Sequence, residues 1–157
     1  MPDWIAHIFM GLIISEVFNA KKKGIIVLGS LLPDFVVKIN LLTAFFHVND
    51  NLLFVARIYH SPIMGLIIPA LIIPFFRYDS KKTYILLTTG FMIHLLADSF
   101  TRHFNDGMLL FPFSRGFFSF NLFWPEQYWI ATLGSILLYF SIRKYKNYRL
   151  GVNKGVI

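Results

Sequence analysis

The stretch His94-Leu95-Leu96-Ala97-Asp98, inside the apolar run 84–100, holds an imidazole and a carboxylate four residues apart with nothing polar between them. On a helix the two side chains share one face, about one turn apart. So placed, they bind one divalent cation together or pair with each other. An ionised carboxylate in apolar surroundings needs a cation or hydrogen-bond donors. The rest of the chain therefore matters for the further ligands it supplies and the scaffold it builds.

With 157 residues, 56% of them hydrophobic, and a mean hydropathy of +0.61, the composition suits a polytopic membrane protein better than a soluble globule. Charged residues make up 15% and fall in clumps. A net charge of +7 is compatible with nucleic acid, but basic clusters set between apolar runs follow the positive-inside pattern, so no nucleic-acid partner is expected. The absence of cysteine excludes a disulfide framework and a thiolate metal site, leaving His, Asp and Glu as ligands. Met1-Pro2-Asp3-Trp4 lacks the basic region of a cleavable signal, so the first apolar run is expected to stay in the mature protein. No internal repeat or low-complexity tract is visible.

Basic punctuation divides the chain into five apolar segments. The first, 4–19, contains His7 and Glu16 and stops at Lys21-Lys22-Lys23. The second, 24–46, carries Pro33-Asp34 at its centre and then Lys38; proline removes a helical hydrogen bond and predicts a kink or two half-helices. After the polar connection 47–59, His60-Ser61-Pro62 opens the third segment, with Ser61 as N-cap and Pro62 at the first helical position. The fourth, 83–100, holds His94 and Asp98. Asn105-Asp106-Gly107 signals a turn, and the aromatic run 108–129 reads as a re-entrant or interfacial segment. The fifth, 128–142, ends at Arg143, and 143–157 reads as a basic cytoplasmic tail, frayed at its end. The expected architecture is thus a single all-α domain over 1–157: a polytopic membrane helical bundle of about five apolar helices with a kinked second helix.

Lys21–Lys23, Arg77–Lys82 and the tail hold eleven of the fifteen basic residues and alternate with loops bearing Asp3, Asp50, Asp106 and Glu126. The expected orientation has the N-terminus outside and the C-terminus cytoplasmic. It places His7, Asp34, His60, His94 and Asp98, from four segments, at compatible depth. Each has a plainer reading: an interfacial histidine for His7, helix caps for Asp34 and His60, a buried hydrogen bond for His94 and Asp98. Together they favour a metal centre. His47 and His103 read as solvated, and Glu16 with Lys38 as a mutual or headgroup pairing. Three imidazoles and two carboxylates without sulfur suit Zn²⁺, then Mn²⁺ or Fe²⁺. Asp34 or Asp98 is the candidate general base or metal bridge.

The ordered set His7, Leu32-Pro33-Asp34, His60-Ser61, His94-x-x-x-Asp98 and Leu109-Leu110-Phe111-Pro112-Phe113-Ser114 resembles the YdjM-type inner-membrane metal-dependent hydrolases, also described as LexA-binding inner-membrane-associated hydrolases. The similarity runs over about 4–114. It implies a multi-pass membrane protein with a metal site of His7, Asp34, His60, His94 and Asp98, and a distant similarity to zinc-dependent phospholipase C-like enzymes implies phosphoester or lipid substrates. Where the family often has His-Arg before its His-Ser motif, Val55-Ala56-Arg57-Ile58-Tyr59 precedes His60, so one family histidine is missing.

The function expected is a membrane-embedded metal-dependent hydrolase in contact with the lipid bilayer, using metal-activated water on a phosphoester or phospholipid-like substrate. The aromatic run 111–124 would admit the substrate, and Arg102 and Arg115 would orient its phosphate. The alternatives are a metal-ion or proton transporter and a non-catalytic membrane scaffold.

Overall fold

The computed structural model describes residues 4–43, 55, 57–101, 108–114, 116 and 118–154. His47, Asp50, Arg102, His103, Asn105-Asp106-Gly107 and Arg115 lie outside this set, as does the side chain of Lys38. Five α-helices account for most of it: α1 Trp4–Val17, α2 Lys23–Thr43, α3 Pro62–Ile72, α4 Ser80–Ser99 and α5 Tyr128–Lys154. Short 3₁₀ turns, Ile73–Phe75 and Pro125–Gln127, follow α3 and precede α5. The helices run alternately up and down, α2 packing most extensively on α4, α1 on both, α3 on α4, and α5 on α1.

The fold is all-helical, but the expected polytopic membrane bundle is not supported: among the described residues, no helix is long and apolar enough to cross a membrane. Two physical reasons account for this. At 1.5 Å per residue the 14 residues of α1 and 11 of α3 fall short of a hydrocarbon core about 30 Å thick. The longer α4 and α5 are interrupted by charge, α4 by Lys81, Lys82 and Asp98, and α5 from Arg143 onward.

Three element boundaries differ from expectation. α2 is one helix through Pro33 rather than two halves. α4 begins at Ser80, inside the expected basic turn, because the Asp79 side chain accepts from the Lys82 backbone N–H at 2.7 Å and caps it. α5 continues past Ile142 to Lys154 instead of releasing a frayed tail. Lys146 ties that extension to the end of α1, donating to the Glu16 carbonyl, to the Glu16 carboxylate at 3.4 Å and to Asn19 Oδ1 at 2.5 Å. Glu16 also takes Lys23, so among the described residues its partners are Lys23 and Lys146.

Glycine sets the contact between α2 and α4. A Cβ on Gly90 would lie 2.1 Å from the Ile26 carbonyl oxygen, and one on Gly29 2.3 Å from that of Leu87. Only hydrogen fits there, so α2 and α4 meet backbone to backbone. An apolar cluster of Ile68, Phe91 and Leu95, with Leu32, Tyr59, Met64, Met92 and Leu109 against it, joins α3 to this pair. The aromatic run is not a helix: it folds back over the end of α4, with Phe120 N–H donating to the Ser99 carbonyl at 2.7 Å and Leu122 N–H to that of Phe100 at 2.9 Å. Polar groups fill much of the interior, while Phe75, Leu71, Leu137 and Phe113 are exposed.

Candidate metal centre

The up-and-down course of the helices carries five polar side chains to one end of the bundle. His7 lies in the first turn of α1, Asp34 halfway along α2, and His94 and Asp98 in the last turns of α4. His60 precedes α3, where Ser61 is the N-cap in extended conformation and Pro62 the first helical residue, as expected, although the Ser61 side chain makes no capping bond. All five are buried, at 0–1% exposure.

Their ligating atoms converge. His7, His94 and Asp98 form one group of donors within 4.8 Å of one another, and Asp34, His60 and His94 a second, so His94 belongs to both. His94 Nε2 lies 3.1 Å from Asp98 Oδ2 and 3.9 Å from Asp34 Oδ1. His7 Nε2 is 3.3 Å from Asp98 Oδ1, and His60 Nε2 3.9 Å from Asp34 Oδ1. The His7 and His94 rings stack at 3.8 Å.

A residue that sequence reasoning missed holds this arrangement. The Ser30 carbonyl lies 2.7 Å from His94 Nδ1. A carbonyl only accepts, so Nδ1 carries the proton and Nε2 is left facing the carboxylates. The Ser30 hydroxyl reaches the His7 carbonyl at 3.0 Å, joining α2 to α1 beside the site. The one local signal was its place one turn before Asp34, ahead of Pro33.

The donor set fits a divalent cation. With Nδ1 protonated, a neutral His94 presents a lone pair to Asp98 Oδ2, and the two repel unless a proton or cation lies between them. Neither oxygen of Asp98 nor either ring nitrogen of His7 has a hydrogen-bond partner among the described residues, and a buried carboxylate without donors is costly. Two donors about 2.1 Å from one ion at the tetrahedral angle are about 3.4 Å apart, within the spread of the separations above. Two carboxylate charges also balance one divalent ion. With a proton in that place, burial still raises the Asp98 carboxyl, but the imidazoles of His94 and His7 outweigh it and hold the group well below the usual carboxylate range. Burial and the facing imidazole of His60, followed by His94 and His7, act on Asp34 in the same opposed way, with a net lowering. These buried groups could thus hold a metal ion.

No curated protein and no solved structure matches the chain. A family model described as YdjM inner membrane protein matches residues 2–152, and the chain belongs to that family.

Proposed function

We propose that the chain is a metal-dependent hydrolase of the inner membrane, with His7, Asp34, His60, His94 and Asp98 as the ligand set of a divalent metal centre, zinc in preference to manganese or iron, acting on a phosphoester or phospholipid-like substrate. The observation that carries the reading is the Ser30 carbonyl on His94 Nδ1, which turns Nε2 toward two buried carboxylates. A bound divalent ion supplies Lewis acidity and brings a water's pKa toward neutrality. His94 stays in one tautomer because Ser30 keeps its Nδ1 proton, and the stacked His7 ring limits its rotation. Whichever of Asp34 and Asp98 keeps an oxygen free of the ion accepts the proton of the attacking water.

A lipid-like substrate is supported by the surroundings. Ala6 and Ala97, next in sequence to His7 and Asp98, line an apolar cavity of about 70 Å³. It shares Met10, Phe100, Phe123 and Ala131 with an open groove of about 360 Å³.

Complete burial of the five donors favours a second reading, a closed structural ion that ties four segments together. Metal analysis of the purified protein and turnover of a phospholipid and phosphoester panel by wild type and His94→Ala separate the readings. The hydrolase requires bound metal and turnover that falls at least about a hundredfold in the variant, the upper end of what losing even an outer partner costs. Metal without turnover supports the structural ion, and metal-free protein refutes both.

A further inference from the structure

At the end of the bundle opposite the histidines, the α1–α2 turn and the first turn of α4 bring lysines together around an open cleft. Ala20, Lys21, Lys22, Asp79 and Lys82 line its rim and Ile85 and Leu86 its wall, enclosing about 400 Å³. A second cleft of about 450 Å³ shares Lys21 and Lys22 and is walled by Ile25, Leu28 and Phe76. The acids nearby are already committed. Glu16 takes Lys23 and Lys146, and Asp79 caps α4. Lys21, Lys22 and Lys82 have no carboxylate within 4 Å among the described residues, so they repel one another across the cleft. The Lys22 ammonium sits 3.3 Å over the Tyr78 ring, which fixes it at the rim.

We propose that these clefts seat the headgroup of an anionic phospholipid, its phosphate at Lys21, Lys22 and Lys82 and its first acyl carbons along Ile85, Leu86, Ile25 and Leu28. Cationic rim and apolar wall are the two halves of an amphiphile's complement. A free phosphate would use only the rim, and a nucleic acid would leave the wall exposed. The site is separate from the histidine cluster, because His7 and Val17 alone are about 15 Å apart along α1. It stands whether or not that cluster binds metal.

Native mass spectrometry of the full-length protein from mixed phosphatidylglycerol and phosphatidylcholine micelles tests the proposal. Wild type should retain phosphatidylglycerol preferentially. Lys21→Gln, Lys22→Gln and Lys82→Gln should each lower that preference about fivefold, Lys21→Arg should keep it, and Arg143→Gln with Lys144→Gln, off the cleft, should change it less than twofold. All three lysines are exposed, so the single variants leave the packing intact. No preference in wild type, or equal losses on and off the cleft, would overturn the proposal. So would displacement of the lipid by millimolar inorganic phosphate, which marks a site for free anions.

Discussion

Ser30 joins α1 to α2 through its hydroxyl and α2 to α4 through its carbonyl, so the two contacts respond differently to substitution. Ser30→Ala removes the hydroxyl's bonds to the His7 and Val27 carbonyls and leaves the main-chain contact to His94, and chemical denaturation should show a loss of about 1 kcal/mol. Zinc affinity, measured by competition with a chelating dye, should change far less than in His94→Ala, because the His94 anchor is main chain. Glu16 gives the pH test at this scale. Lys23, ahead of burial and then Lys146, determines the shift, and the folded carboxyl lies below its ordinary value of 4.5. A lowered folded pKa means that the stabilisation is complete above the unfolded value and is lost as pH falls through the folded one. Glu16→Gln should therefore be less stable than wild type at pH 7, the gap closing below pH 4.5 in parallel thermal melts. A constant gap would mean that the side chain contributes by packing alone.

The contact of α2 with α4 depends on absent side chains, and the element scale is where that can be tested. Gly90→Ala would drive a methyl into the Ile26 carbonyl and the Ser30 backbone nitrogen, the latter at 2.7 Å. The helices must separate, at a cost of about 1–3 kcal/mol, and Ser30 moves away from His94 as they do. The denaturation midpoint should fall and zinc affinity with it, whereas Gly134→Ala, with open space around its Cβ, should alter neither. Apolar runs punctuated by lysines were enough to locate five helical segments, and Ser61-Pro62 fixed the start of α3 to the residue. What those runs could not reveal was long-range: the Asp79 cap looked like part of a basic turn, and α5 extends through Arg143 and Lys144 because Lys146 finds partners near the end of α1, 127 and 130 positions away. Hydropathy also overstated the helices as spans, since a segment's apolar content does not say how many of its residues will be helical or where charge will interrupt them.

Across the whole molecule, five ligand-type side chains gather at one end and the clustered lysines at the other, with an apolar exterior between them. The gathering of His7, Asp34, His60, His94 and Asp98 was legible because each sits at a matching height in an alternating course of helices. Ser30 was not, because its contribution is a carbonyl that every residue possesses. If an ion is held there, its removal is a whole-molecule event: at a free concentration a hundred times the dissociation constant it stabilises the fold by about 2.7 kcal/mol. Chelation should lower the melting temperature of wild type and leave that of His94→Ala where it was. The wide sequence separation of the site residues carries a kinetic implication. His7 and Asp98 are about ninety residues apart, so their meeting requires α1, α2 and α4 to be docked first, and the loop-closure entropy must be met by helix packing. A chain with its helices formed but not docked has no pocket, only scattered histidines, so the pocket is among the last parts of the fold to exist and among the first to be lost.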